Sequence, residues 1–219
     1  MITGAIFDVD GVLLDSMTIW KDLGSKYLRN KGIKPECELN TILFSMSMEQ
    51  GAIYLKERYG LSESVEEVLE GIRKMIEDFY FYEVPAKEKA EKLLGFLKEN
   101  KVIITAATSS PREHVERALK RNGLLSYIER IYTTSEVGSS KHEPEIYDLA
   151  CVTMNTNRKE TLVFEDSLYA IKTAAKAGYR VIGVYDANGE TDHEGVRKTS
   201  EIYLNSFEDF FSKWEQLNR

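Results

Sequence analysis

Two hydrophobic patterns divide the chain. An apolar run over about Ile2 to Phe7 has the length and composition of a buried strand. After it, apolar residues recur at helical spacing and predict amphipathic helices over 16–31, 48–59 and 63–81. This second region contains no strand pattern, which indicates an inserted all-helical unit.

From Pro85 onward the pattern alternates between strand and helix. Short apolar runs predict strands at 102–107, 131–133, 161–164, 180–184 and 201–204. Helical periodicity predicts helices at 87–100, from 111, and at 143–154, 168–177 and 207–217. This alternation predicts an α/β fold with a Rossmann-like, doubly wound parallel sheet covered by helices on both faces.

Composition narrows the class of protein. The chain has 219 residues, a net charge of -7 and two cysteines, and its pI is near 5.2. Such an acidic surface disfavours nucleic acid and anionic membranes as partners. No long apolar span or signal peptide is visible, so we expect a cytoplasmic location. Cys37 and Cys151 are expected to be free thiols, and the histidines lack metal-ligand spacing.

Two carboxylates stand where the first strand ends. Asp8 and Asp10 are followed directly by Gly11, and ending a buried strand in two anions is costly unless a cation or hydrogen-bond donors receive them. Because side chains alternate along an extended segment, Asp8 and Asp10 are expected to face the same side. The alternative is a helix cap or a solvated turn.

Polar residues also follow the other predicted strands. They are Thr108-Ser109-Ser110, Lys141 and Glu165-Asp166-Ser167. Because the carboxyl ends of parallel strands meet at one edge, this set would combine anions for a metal, hydroxyl and N–H groups for an anion, and one cation. That combination suits a phosphoryl group, with Mg²⁺ as the natural metal.

Each of these residues has a structural alternative. Thr108 and Ser110 are placed to cap the helix that begins near Pro111, and for Ser110 capping is the favoured interpretation. Lys141 alone resembles an ordinary solvated loop lysine. The carboxylates of Glu165-Asp166 would also favour a helix N-terminus.

The order of these motifs resembles the haloacid dehalogenase superfamily across nearly the whole chain. Asp8-Val9-Asp10-Gly11 resembles the first family motif, Thr108 the second, Lys141 the third and Glu165-Asp166-Ser167 the fourth. His142 is a departure, because the family more often has proline there. Residues 16–83 resemble the helical cap of the beta-phosphoglucomutase-like and phosphatase branch, so we expect a core of 1–15 and 84–219.

The resemblance implies a mechanism for each motif. Asp8 would be the nucleophile that forms an aspartyl phosphate, and Asp10 the acid and base. Magnesium would be held by Asp8, the Asp10 carbonyl and Asp166, with Glu165 beside them. Thr108, the Ser109 N–H and Lys141 would hold the phosphoryl oxygens of a small-molecule phosphate ester.

The cap region bears on the substrate. Mutase members carry a histidine and an arginine for a second phosphate, where Trp20 and Met48 stand here. Hydrolysis of a small phosphorylated metabolite, a sugar or polyol phosphate, is therefore favoured over the alternative, a beta-phosphoglucomutase-type mutase. Trp20 and Met48 are candidates for lining the substrate cleft, although such residues at helical spacing more often belong to a core.

Two non-enzymatic interpretations remain. One is a phospho-acceptor module like a response-regulator receiver, and the other is a silent binding protein on the same fold. Receivers are shorter, lack a helical insert, and carry the phosphorylated aspartate on a later strand of the chain rather than on the first strand with a second aspartate two residues on, so the order of motifs here disfavours this interpretation. Neither interpretation, nor the enzyme, fixes an oligomeric state.

Overall fold

The sheet is entirely parallel in the computed structural model, which describes residues 1–44 and 46–218. Within these residues it has six strands: β1 (Gly4–Phe7), β2 (Ile103–Thr108), β3 (Arg130–Thr133), β4 (Thr161–Glu165), β5 (Arg180–Val184) and β6 (Ile202–Leu204). Their order is β3-β2-β1-β4-β5-β6. Each strand that the apolar runs predict is present, and the predicted α/β fold class is confirmed.

The central strand, β1, pairs with β2 on one side and β4 on the other. Its residues are all buried, as expected for a strand covered on both faces. Phe7 is level with Ala106 and Phe164, and its ring stacks on that of Phe164 with centroids 4.1 Å apart. This register brings the residues that follow β1 next to the ends of β2 and β4.

A separate compact unit covers Thr18–Glu83, while Met1–Met17 and Val84–Arg219 form the other unit of the chain. The helical unit contains α1 (Leu23–Asn30), α2 (Leu39–Phe44), α3 (Met48–Tyr59) and α4 (Val65–Asp78). It has its own apolar core, which includes Leu28, Leu39, Leu55 and Val68. That this unit acts as a cap remains a prediction.

Capping sets the boundaries of α3 and α4. Both begin with a capping box, Ser47 with Gln50 and Ser64 with Glu67, in which each side chain satisfies an N–H at the helix start. Helix α4 is followed by a π-helical turn over Phe79–Glu83. The predicted 48–59 helix is therefore matched, whereas the predicted 63–81 helix is shorter.

The single helix predicted over 16–31 is wrong at its start. A 3₁₀ turn covers Met17–Lys21 and α1 begins only at Leu23. The Asp15 N–H donates to the carbonyl of Pro85 at 3.0 Å, and the Ser16 hydroxyl donates to Asp10. These bonds, one to a distant part of the chain and one to the preceding turn, hold the backbone out of helical geometry, and the apolar pattern gives no sign of them.

The other unit carries the helices around the sheet. They are α5 (Ala90–Glu99), α6 (Arg112–Arg121), α7 (Thr134–Val137), α8 (Glu145–Met154), α9 (Leu168–Ala177), α10 (His193–Thr199) and α11 (Glu208–Leu217). Buried residues of α8, α9 and α10 pack against β1 and β4 in one core cluster. Helices α7 and α10 were not predicted; α10 buries only Val196, so it has almost no apolar periodicity.

Two expectations from composition are tested by the structure. Both cysteines are free thiols, with Cys37 exposed and Cys151 buried. Within the described part of the chain, every helix is too short or too polar to cross a bilayer.

Candidate active site

The first two carboxylates lie on one cavity at the carboxyl end of β1. Asp8 is only 7% exposed, and Val9 between the two is fully buried. Asp8 and Asp10 both line a cavity of about 120 Å³, as the alternation of side chains predicts. A cavity of this size has room for a small group such as a phosphoryl group.

Gly11 makes room for a carboxylate from a distant part of the chain. Its φ is +76°, a conformation that side chains rarely adopt. A Cβ here would overlap the Oδ2 atom of Asp166. A glycine behind the acidic pair is therefore required for both the turn and the approach of Asp166.

Buried carboxylates crowd the cavity. Oxygens of Asp8, Glu165 and Asp166 lie within 4.8 Å of one another, and all three residues are buried. The ammonium of Lys141, also buried, forms ion pairs with Asp8 and, at 2.6 Å, with Glu165. When these four groups are all ionised, negative charge exceeds positive charge by two, an excess that a bound cation would reduce.

The pKa values reflect this imbalance. Burial raises the pKa of Asp8 well above its usual value, against the effect of Lys141. Burial, and then the neighbouring Glu165, raise the pKa of Asp166 to about 8. Burial disfavours the charged form of Lys141, but Asp8 and Glu165 outweigh it and raise the pKa of the lysine. The site as it stands has too little positive charge.

Glu165 is held by several donors. Its Oε1 accepts from Lys141 and from the Tyr147 hydroxyl at 3.4 Å, and its Oε2 accepts from the backbone N–H groups of Asp166 and Ser167 at 3.0 and 3.2 Å. These bonds fix the carboxylate between the lysine and the start of α9. The sequence does not single out Tyr147, because a tyrosine within a helical pattern normally indicates core packing.

Asp10 is oriented by hydroxyl groups. Ser16 donates to its Oδ1 and Ser110 to its Oδ2, both at 2.6 Å, while Thr108 lies 3.4 Å from Oδ2. The interpretation of Ser110 as a helix cap is wrong, because α6 has Pro111 as its N-cap and no side-chain capping bond. Ser16 was missed because it was assigned to a helix.

The sequence of this chain is similar to known proteins over most of its length. Residues 5–184 match the sequence profile of the haloacid dehalogenase-like hydrolases. The chain belongs to this family. The predicted family and the predicted class of enzyme, a phosphoric monoester hydrolase of the haloacid dehalogenase type, are confirmed.

Individual relatives cover most of this hydrolase. A phosphorylated carbohydrates phosphatase from Thermotoga maritima is 26% identical, with 82% of this chain and 83% of the relative covered. Validoxylamine A 7'-phosphate phosphatase from Streptomyces hygroscopicus is 27% identical, with 82% and 84% covered. A crystal structure from Thermotoga maritima, provisionally named a beta-phosphoglucomutase, shares the fold with a TM-score of 0.86, 22% identity and coverage of 98% and 99%.

The remaining predicted residues of the hydrolase are distributed between its two units. Ser109 lines the cavity together with Lys141, Glu165 and Asp166. Trp20 lies in the 3₁₀ turn and Met48 is the first residue of α3, 48% and 41% exposed. Exposure at this level disfavours the core alternative for both, and their contact with substrate remains a prediction.

Proposed function

We propose that the protein is a magnesium-dependent phosphatase that hydrolyses small phosphorylated metabolites through an aspartyl phosphate. One observation carries the proposal: the buried carboxylate of Asp8, paired with Lys141, shares a small cavity with a second acid, Asp10. A buried nucleophile beside a positioned acid and a cation is the arrangement that phosphoryl transfer requires.

The donor set suits Mg²⁺. Buried carboxylate oxygens with an excess of negative charge match a hard cation that prefers oxygen ligands. Asp8, Asp166 and the Asp10 carbonyl are proposed to hold it, and Glu165, already engaged by Lys141, supports them from the side. The bound ion would neutralise charge on the phosphoryl oxygens and let the anionic nucleophile and ester approach.

The reaction then has two steps. A carboxylate oxygen of Asp8 attacks phosphorus, the bond from phosphorus to the ester oxygen breaks, and Asp10 gives that oxygen its proton. Asp10 next takes a proton from water, the water oxygen attacks phosphorus, and the acyl phosphate bond to Asp8 breaks to release inorganic phosphate. The Ser16 and Ser110 hydroxyls hold Asp10 for both proton transfers.

Phosphoryl oxygens are proposed to bind to donors around the nucleophile. Lys141 reaches Asp8 already, and Ser109 lines the same cavity. Thr108 is buried beside Asp10: its hydroxyl accepts from the Ser110 N–H at 3.1 Å and donates to Asp10 at 3.4 Å, a long bond that a phosphoryl oxygen would replace. Donors fixed in this way stabilise developing charge at little reorganisation cost.

The substrate class is proposed as sugar or polyol monophosphates. Relatives that act on phosphorylated carbohydrates and on a validoxylamine phosphate support this class. Trp20 and Met48 stand where mutases hold a second phosphate, and neither side chain supplies a bidentate clamp for that group. Hydrolysis is therefore proposed in preference to mutase activity.

Turnover of para-nitrophenyl phosphate, with and without Mg²⁺, tests the proposal. We expect magnesium-dependent phosphate release that Asp8→Asn abolishes, because the amide keeps the shape of the side chain but is not a nucleophile. Asp209→Asn is the control, since the Asp209 side chain accepts from the backbone N–H groups of Asn205 and Ser206 at the start of α11 and does not line the catalytic cavity. Absence of turnover across a broad panel of phosphate esters, or full activity of Asp8→Asn, would overturn the assignment.

A further inference from the structure

Tyr169 stands out among the residues that line the catalytic cavity. It lies in the first turn of α9, three residues after Asp166, and lines the cavity together with Asp8 and Lys141. Its side chain is nevertheless 41% exposed. Tyr169 therefore forms part of the wall of the nucleophile's cavity and is also open to solvent, so it can reach the non-phosphate part of a bound ester.

The position of the Tyr169 ring is fixed from behind. It stacks on the imidazole of His142, with centroids 4.5 Å apart and planes inclined by 29°. The Thr173 hydroxyl lies 3.2 Å from the His142 carbonyl and 3.1 Å from the Tyr169 carbonyl. This contact connects α9 to the loop that carries Lys141 and His142, the lysine loop. At the position where the family more often has proline, His142 thus supplies the ring on which Tyr169 stacks.

The hydroxyl of Tyr169 is uncommitted. Among the described residues, no hydrogen bond to this oxygen is present, whereas the buried Tyr147 and Tyr179 both donate theirs to carboxylates. Burial and the nearby Glu165 raise the pKa of Tyr169, so the phenol remains a neutral donor. The surrounding carboxylates repel a second anion, so the surface near the Tyr169 hydroxyl favours a neutral, hydroxylated group.

We propose that Tyr169 is a specificity-determining residue, whose hydroxyl binds a hydroxyl of the leaving group directly beyond the phosphoryl group. The inference rests on the proposed phosphatase function and deepens it. Selectivity for sugar and polyol monophosphates then resides partly in the unit formed by Met1–Met17 and Val84–Arg219, the catalytic unit. His142 is a positioning residue for the ring.

Steady-state kinetics of Tyr169→Phe test this role. The probes are a hexose 6-phosphate, glycerol phosphate and para-nitrophenyl phosphate, with inorganic phosphate as a product inhibitor. Loss of one hydrogen bond should raise KM for the two hydroxylated esters by about threefold to tenfold. KM for the aryl ester and the inhibition constant of phosphate should not change, because neither ligand has a hydroxyl in that place.

Tyr185→Phe is the matched control. Tyr185 is 39% exposed and also packs on a histidine, His193, but it does not line the catalytic cavity. His142→Ala should raise the same KM values as Tyr169→Phe, and His142→Phe, which retains a ring for stacking, should restore them.

Five outcomes of these measurements decide whether the inference stands. Selective loss on hydroxylated esters supports the inference. Unchanged constants overturn it, as does a parallel change in phosphate inhibition, which would mean that Tyr169 acts on the phosphate pocket through the lysine loop. Wild-type turnover of the aryl ester alone overturns it while the phosphatase assignment stands, and no turnover of any ester overturns both.

Discussion

Lys141 is buried between Asp8 and Glu165, and its ion pairs with them balance part of the charge of the site. Removing one partner from such a group leaves a buried charge without compensation, which costs far more than loss of a surface pair. The sequence gives no hint of this burial, because an isolated loop lysine is normally solvated. The negative charge that Lys141 does not balance must be neutralised by protons on the carboxyl groups or by a bound cation.

Cation binding should therefore depend on pH. The raised pKa of Asp166, about 8, means that the metal-free protein holds a proton there at neutral pH, and a cation must displace it. We expect the apparent Mg²⁺ dissociation constant to fall by up to about tenfold per unit between pH 6 and 8 for one displaced proton. Magnesium titrations monitored by tryptophan fluorescence measure this dependence.

Without a bound cation, we expect the stability of the folded protein to fall with rising pH, whereas the magnesium affinity rises. A carboxyl whose folded pKa is raised favours the folded state at low pH, and this contribution is lost as pH rises from the usual value of 3.8 to about 8. Added magnesium should then stabilise the protein more at pH 8 than at pH 6. A pH-independent magnesium affinity would contradict the assignment of Asp166 as a ligand.

The hydroxyls on Asp10 lead to a second prediction. Ser16→Ala with Ser110→Ala removes both 2.6 Å bonds to this carboxylate, so Asp10 loses its orientation for proton transfer. We expect kcat to fall by about tenfold or more with little change in KM, as measured by steady-state kinetics. Ser212→Ala, which removes a hydroxyl that donates to a backbone carbonyl in α11, is the control and should leave kcat unchanged.

At the scale of elements, strand register assembles the site. Asp8 directly follows the Phe7 pairing with Phe164, and its N–H donates to the Phe164 carbonyl at 2.9 Å. Glu165 is the next residue of β4 and is thereby level with Asp8. A one-residue slip would turn every side chain of a strand to the other face, so this register of β1 on β4 is a condition for Asp8 and Glu165 to line one cavity.

Replacing Gly11, in the turn after β1, gives a prediction that separates the effect of backbone strain from the effect of contact with Asp166. Gly11→Ala incurs the cost of a side chain at φ +76° and also overlaps Asp166. Gly123→Ala has nearly the same φ, +75°, with open space around the new Cβ. We expect Gly123→Ala to lose about 1 kcal/mol of stability and keep its activity, whereas Gly11→Ala loses magnesium binding and turnover.

Calorimetry and thermal unfolding of the two variants provide the comparison. Equal magnesium affinity of Gly11→Ala and Gly123→Ala would show that the approach of Asp166 to the turn has no functional consequence.

At the scale of the whole molecule, sequence reasoning succeeded where patterns are strong and local. Buried parallel strands read as continuous apolar runs, so each strand was predicted, and acidic or polar residues behind them led to the cavity. The helical pattern over 16–31 gives no sign of the bond from Ser16 to Asp10, and Tyr147 meets Glu165 only through the tertiary fold. Helix α10 was missed because it buries too little apolar surface to show a period.

Each unit of the molecule has its own apolar core, and this makes their stabilities separable. Leu55 is buried in the helical unit and Leu94 in α5 of the other. Replacing either by alanine should cost about 2–5 kcal/mol. We expect Leu55→Ala to speed amide hydrogen exchange mainly within residues 18–83, and Leu94→Ala mainly outside them. Uniform acceleration across the chain in both variants would show a single cooperative unit instead.

The chain leaves and re-enters the catalytic unit at one point. Leu14 forms an antiparallel bridge with Ala86, and the Asp15 N–H donates to the Pro85 carbonyl, so the two ends of the insertion are stitched together by backbone bonds of the catalytic unit. The entropy of closing a loop grows slowly with its length. The free-energy cost of an insertion between Asp15 and Pro85 therefore depends little on its length, so we expect the folding of the catalytic unit to tolerate longer or shorter segments at this point.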